Sequence, residues 1–239
     1  MIALDLEFLP TRRPAEAVVV FDVLRMTTTA CAAFSRGLGS LEVVADADDA
    51  RARARATGAL LFGERDGVPL EGFDGGNSPV ETLALDLDGR GAVLCTTNGS
   101  RAVEAAAGAR HVVLGALVNA AAVARFLVAL APGDVRLSCA GTVDRVSFDD
   151  VLGAAWVLRE VVAREPDALL SDACTLALAA IEGHDDPLPL LERAVHARFL
   201  RSIGFGEDVA FAARASAFDV VPWQHGGAPP TFVVGRPGA

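Results

Sequence analysis

Short runs of apolar, largely β-branched residues alternate with longer amphipathic stretches through the first half of the chain. Ala17–Phe21 (AVVVF) reads as a buried strand ending at Asp22, and residues 27–34 open a helix. A second strand is expected at 41–44. Residues 46–56 (DADDARARARA) form a helix with acids in its first turn and arginines later, as its dipole favours. A third strand, 59–62, ends at Gly63-Glu64-Arg65.

The same order then recurs: a strand at 92–95, a helix at 100–107, a strand at 111–114, a helix at 119–130 and a strand at 135–138. The offset is about 75 residues, Asp22 answering to Thr97 and Glu64 to Cys139, so segments 15–75 and 90–150 read as an internal duplication. Any βαβαβ run matches another to some degree, and identities between the segments are few. Beyond Ser147 the pattern turns helical, at 149–164, 172–181, 188–200 and 208–215, and Thr231–Val234 reads as an edge strand. Strands alternating with helices predict one compact α/β domain over residues 1–239, a largely parallel or mixed sheet in three α/β/α layers. The alanine-rich helical second half offers surface for a homodimer.

Composition narrows the function. At 52% hydrophobic residues and a mean hydropathy of +0.38, the chain can bury a large core. No uncharged apolar run reaches the roughly 18 residues of a membrane span. Met1-Ile2-Ala3-Leu4-Asp5 lacks the basic start and apolar core of an export signal. The four cysteines, Cys31, Cys95, Cys139 and Cys174, form no Cys-x-x-Cys pair and read as small buried thiols. A cytoplasmic location is expected. The net charge is −10 and lysine is absent, so every fixed positive side chain is an arginine and no basic stripe for nucleic acid exists. An anionic substrate would need local arginines or a metal ion to reverse the field in its cleft.

Ligands of parallel α/β sheets sit beyond the carboxyl ends of the strands. Five polar clusters fall there or nearby: Asp22 and Arg25 with Thr27, Thr28 and Thr29; Gly63-Glu64-Arg65; Gly75-Gly76-Asn77-Ser78; Thr96-Thr97-Asn98-Gly99; and Cys139-Ala140-Gly141 leading to Asp149-Asp150. They offer carboxylates for a hard cation, arginines for forked anion contacts, and hydroxyl, amide and glycine positions for phosphate oxygens. Each has a plainer reading. Ser78-Pro79-Val80-Glu81 and Ser147-Phe148-Asp149-Asp150 both match capping boxes. Asn98-Gly99 fits a turn, Gly75-Gly76 a loop, and Glu64 and Arg65 a surface pair. Asp22 resists such a reading, because a carboxylate at the end of a buried strand is costly without a partner.

Other chemistries fail on spacing. There is no P-loop, no third glycine after Gly37-Leu38-Gly39, no G-x-S-x-G and no H-E-x-x-H. Leu24 stands where the D-x-D of haloacid-dehalogenase-type phosphatases has its second acid. His111, His184, His196 and His225 are dispersed outside the clusters. Cys139 and Arg145 do keep the Cys-x5-Arg spacing of cysteine phosphatases, with Asp144 intruding in the loop.

Taken in order, the clusters resemble the 2-phosphosulfolactate phosphatase family. The matching segments are Val20-Phe21-Asp22-Val23-Leu24-Arg25, Gly63-Glu64-Arg65, Gly72-Phe73-Asp74 with Gly76-Asn77-Ser78-Pro79, Thr96-Thr97-Asn98-Gly99, Cys139-Ala140-Gly141, Ser147-Phe148-Asp149-Asp150, and Ala217-Phe218-Asp219 with Val221-Pro222. The likeness runs from roughly residue 15 to 235. It implies a three-layer α/β/α fold and a magnesium-dependent enzyme that hydrolyses 2-phospho-3-sulfolactate, or a similar phosphorylated 2-hydroxy acid, to 3-sulfolactate and phosphate on a route to coenzyme M. The chain departs from the family pattern at Thr142-Val143-Asp144-Arg145 and in having Asp149 where Glu is commoner, which favours Asp150 over Asp149 as a metal ligand.

On this reading Asp22, Glu64 and Asp150 hold Mg²⁺, while Arg25 and Arg65 clamp phosphate or sulfonate. Thr97, Asn98, Gly99 and Gly141, with Thr28, Asn77 and Ser78, bind the remaining oxygens. Asp208 and the 204–206 loop would close the site. The residues leave open whether Asp22 attacks phosphorus or orients a metal-bound water. They also leave open a non-catalytic binding protein for a phosphorylated acid, and an oligomer-forming relative with altered loops.

Overall fold

The computed structural model describes residues 1–224 and 230–235. In chain order its elements are β1 (Ala3–Glu7), β2 (Ala17–Phe21), α1 (Met26–Ser35), β3 (Ser40–Val44), α2 (Ala47–Thr57), β4 (Leu60–Arg65), β5 (Val68–Pro69) and α3 (Pro79–Thr82). There follow β6 (Gly91–Cys95), α4 (Asn98–Ala105), β7 (His111–Gly115), α5 (Ala120–Leu130), β8 (Asp134–Cys139) and α6 (Phe148–Val162). The chain continues with β9 (Leu169–Leu170), α7 (Asp172–Ala180), α8 (Leu188–Leu191), α9 (Val195–Ser202), α10 (Gly206–Ala212), β10 (Pro222–Gln224) and β11 (Thr231–Val234).

Local chemistry sets several of these limits. Asp46 accepts from the Asp48 and Asp49 amides at the start of α2, and Gly58, at φ +70°, ends that helix in the left-handed conformation an L side chain resists. The helix expected over 188–200 is broken instead: Glu192–Ala194 separates α8 from α9, and Ala194 takes an extended conformation.

The strands form one sheet in the order β5-β4-β6-β3-β11-β10-β7-β2-β8-β1-β9. β4, β6 and β3 are parallel, as are β7, β2, β8, β1 and β9. Three antiparallel pairings, β3–β11, β11–β10 and β10–β7, join the blocks and make them run in opposite senses. Thr231–Val234 is therefore not an edge strand. Its fully buried Phe232 sits between two other strands, in the seam of the sheet.

Segments 17–65 and 91–139 share one element order and exchange their first strands. β2 lies between β7 and β8, and β6 lies between β3 and β4. Alternate residues of β2 face opposite layers. Val18 and Val20 join α1 and α4 in one core, while Val19 and Phe21 meet α5, α6 and the carboxyl-terminal helices in another. α2 covers the second face of the β3-β6-β4 block through Ala50 and Ala54. Helices thus flank both faces of the sheet, giving three α/β/α layers. No helix among the described residues is long and apolar enough to cross a membrane.

Candidate active site

Strand twist accumulates across a sheet, and here the carboxyl ends of β2 and β6 meet although their blocks run in opposite senses. A side chain on Gly99, just inside α4, would lie 2.6 Å from Asp22 Oδ2 and 2.6 Å from Met26 Cε. A larger residue there would have to displace the Asp22 carboxylate and the Met26 side chain. The strand ends open into a cleft of about 1020 Å³. Its polar end is lined by Asp22, Glu64, Asn77, Thr97, Asn98 and Asp149, and its mouth by the apolar Val143, Val146, Phe148, Val195 and Phe199.

Asp22 is buried at the end of β2, and its Oδ1 accepts from the Met26 amide at 3.4 Å. Burial pushes its carboxyl up to about 7, and the charges of Asp149 and Glu64 add to the rise; the Met26 amide and Arg25 oppose it. Glu64 accepts from the Gly67 amide at 2.8 Å, and Thr96 leans toward its other oxygen. Asp149, on the first turn of α6, accepts from the Ser147 hydroxyl at 2.6 Å. Asn77 Oδ1 is buried and has no hydrogen-bond partner among the described residues, so an acceptor facing the cleft stands open. Thr97 makes no side-chain cap on α4, which leaves that helix start free of a side-chain acceptor.

Asp150 points elsewhere. Its Oδ1 accepts from the Val23 amide at 2.8 Å and its Oδ2 from the Gly141 amide at 2.9 Å, tying the β2 and β8 loops together away from the cleft lining. Burial, followed by the charges of Asp149 and Asp22, holds its carboxyl well above the ordinary range. The capping box expected at Ser147 does not form, because its hydroxyl serves Asp149.

Arg25 reaches the cleft with its guanidinium already occupied. Nη1 pairs with Asp208 at 2.8 Å, Nη2 donates to the Gly67 carbonyl at 2.7 Å, and the Phe205 ring stacks 4.3 Å away. Asp208 also accepts from Ser78 at 2.6 Å, and Ser78 caps α3. One buried knot therefore joins α1, α3, α10 and the β4–β5 turn. Arg65 is exposed and donates to Thr97 at 2.7 Å.

A sequence profile of the 2-phosphosulpholactate phosphatase family matches residues 5–227. The chain belongs to this family. Among its relatives, proteins named probable 2-phosphosulfolactate phosphatase from Deinococcus radiodurans and Carboxydothermus hydrogenoformans are 40% and 36% identical, over 92% and 93% of both chains respectively. One of the same name from Thermus thermophilus is 37% identical over 88% of this chain and 89% of its own.

Asp22, Arg25, Glu64, Asn77, Thr97 and Asn98 line the one cleft, and Gly99 abuts Asp22. Arg65 stands at its rim through Thr97. Thr28, Ser78, Gly141 and Asp150 are buried in the scaffold around it; the Thr28 hydroxyl donates to the Val23 carbonyl at 2.7 Å. Asp208, expected with the 204–206 loop to close the site, pairs with Arg25 and accepts from Ser78.

Cys139 is wholly buried, and burial raises its thiol well above the ordinary value, so the Cys-x5-Arg reading finds no accessible thiolate. Asp149, ranked below Asp150 as a ligand from the sequence, and Arg145, weighed there only beside Cys139, both line the cleft, and two further lining residues, Arg193 and His196, were not singled out as site groups. The signal for His196 was faint. On α9, Ala197 and Leu200 face the core, which turns Val195, His196 and Phe199 toward the cleft. Burial lowers the His196 pKa, with Asp149 pulling it up and Arg25 pushing it down. His225 lies outside the described residues.

Proposed function

We propose that the chain is a cytoplasmic, magnesium-dependent phosphoric monoester hydrolase that converts 2-phospho-3-sulfolactate, or a closely similar phosphorylated 2-hydroxy acid, to the hydroxy acid and phosphate. The observation that carries the reading is the convergence of Asp22, Glu64 and Asp149 on one cleft, where burial, with the neighbouring charges of Asp149 and Glu64 adding to it, raises the Asp22 carboxyl to about 7.

The donor set fits magnesium of a particular kind. Carboxylate oxygens and the open Asn77 amide oxygen are hard donors suited to Mg²⁺. Among the described residues no three Asp, Glu, His or Cys side chains close into a ligand cage. Mg²⁺ commonly keeps several waters and uses one or two carboxylates with substrate phosphate oxygens, so an open set is compatible with it. Asp22, with Asp149 and Glu64 beside it, would hold the ion. When bound, it supplies charge neutralisation at the phosphoryl oxygens.

The remaining work falls to the chain. The uncapped start of α4, with Thr97 and Asn98, seats a phosphoryl group on amide and side-chain donors. Gly99 keeps that seat against Asp22, so the transferred group and the acids share one space. Phe148, Val195 and Phe199 give the mouth an apolar lining. Arg25 positions rather than clamps, as both of its terminal nitrogens are engaged within the protein.

The test is phosphate release from 2-phosphosulfolactate, phospholactate and phosphoglycolate, with Mg²⁺ or chelator, for wild type and Asp22→Asn. Release should require Mg²⁺ and fall at least a hundredfold in the variant. A folded protein that binds one of these esters and releases phosphate from none would sink the proposal.

A further inference from the structure

Basic side chains are scarce in this cleft, and that scarcity identifies the ones that recognise substrate. The chain has no lysine. Four basic residues line the cleft: Arg25, Arg145, Arg193 and His196. Arg25 is consumed by Asp208, the Gly67 carbonyl and Phe205. Arg65, outside the lining, leans on Thr97. The guanidinium groups of Arg145 and Arg193 have no side-chain partner among the described residues, although acids are in excess by ten in the whole chain.

Their backbones, by contrast, are held. Arg145 closes the tight turn after β8: the Thr142 amide donates to its carbonyl at 2.9 Å, and its own amide donates to the Thr142 carbonyl at 3.1 Å. Arg193 occupies the break between α8 and α9, where its amide donates to the Leu190 carbonyl at 3.0 Å and its carbonyl accepts from Arg198 at 2.5 Å. Two anchored bases thus carry two unspent guanidinium groups into one cleft from different elements. Val146 and Phe199 line the same mouth beside them.

We propose that Arg145 and Arg193 form the subsite for the substrate's anionic groups other than the phosphate, a carboxylate or sulfonate on the neighbouring carbons. This rests on the phosphatase reading and names the specificity determinants of that same site. Asp22, Glu64 and Asp149 make the inner end of the cleft negative, so a second anionic group is repelled there and is drawn outward to the arginines. The planar guanidinium fork matches either group with paired hydrogen bonds, and two forks from separate elements require the anions at a set distance from the phosphate.

The test compares Arg145→Met, Arg193→Met and the double variant, with lysine at each position and with the exposed, cleft-remote Arg36→Met as control. kcat/KM is measured for 2-phosphosulfolactate and for ethyl phosphate, which carries no second anion, and binding of 3-sulfolactate is measured by calorimetry. Each methionine variant should lower the phosphosulfolactate-to-ethyl-phosphate ratio at least tenfold, chiefly through KM, and raise the 3-sulfolactate Kd by a similar factor. Lysine should restore part of both, and Arg36→Met should alter neither. Equal losses on the two esters, or an unchanged ratio and Kd, would overturn the subsite. If wild type hydrolyses no ester the phosphatase reading fails, and 3-sulfolactate binding alone then decides the subsite: no binding, or binding indifferent to both arginines, rejects it.

Discussion

On an α-helix successive residues project about 100° apart, so Asp149 and Asp150 cannot serve the same space. Asp149 faces the cleft, while Asp150 spends both oxygens on the Val23 and Gly141 amides. A sequence that reads Asp-Asp at a helix start carries no mark of which acid goes where; that depends on how α6 is rotated against the β2 and β8 loops. Asp22 was legible because burial at a strand end follows from the apolar run before it. Its raised pKa makes a prediction for metal-free protein. The folded carboxyl titrates near 7 and the unfolded one near the model-peptide value of about 3.9. Between those values the folded state holds the extra proton, so Asp22's favourable contribution is complete below about pH 4 and is lost as pH rises through 7. In chelator, Asp22→Asn should therefore flatten the fall in melting temperature between pH 5 and 8 and raise it at pH 8 by on the order of 5 °C. Thermal melts across that range check it; a variant that parallels wild type throughout would show Asp22 to be ionised without penalty.

Between elements, the Arg25–Asp208 pair fastens α1 to α10, with Ser78 and the Gly67 carbonyl completing the contacts. Breaking one side of a buried pair leaves an uncompensated charge, typically at a cost of about 3–5 kcal/mol, whereas replacing both sides with apolar groups is often nearly neutral. Asp208→Ala should thus lose stability in that range by urea unfolding, and Arg25→Met with Asp208→Leu should regain more than half of the loss. Additive losses would mean that the two residues act separately. No spacing rule joins positions 25 and 208, so this contact was invisible in the sequence, as was the place of Arg193 in the cleft lining. The apolar rhythm of 188–200 reads as one helix, and the extended Ala194 that breaks it follows from tertiary contacts. The period-2 and period-3.6 signals did identify the principal strands β2, β3, β4, β6, β7 and β8 and the helices between them, because each buries an apolar face. Short strands such as β5, β9 and β10 carry too few residues to show a period.

At the scale of the whole molecule, the exchange of first strands makes the two halves mutually dependent. β6 is the parallel partner shared by β3 and β4 of segment 17–65, and β2 is the one shared by β7 and β8 of segment 91–139. Removing either half leaves the other with an unfilled slot where a buried central strand had been, exposing two rows of unpaired amides and carbonyls, and leaves its own β2 or β6 without parallel neighbours. The cleft has the same dependence, since Asp22 and Glu64 come from the first half while Asn98 and Asp149 follow strands of the second. Fragments 1–88 and 89–239, produced separately, should each lack cooperative thermal unfolding and dispersed amide resonances. Mixed from denaturant at equal concentration, they should regain a cooperative transition and the phosphate release of the intact chain, with a midpoint that rises with fragment concentration. An amino-terminal fragment that folds alone with the resonances it shows in the intact protein would mean that β3 and β4 close their sheet without β6, and that the exchange is geometric rather than energetic.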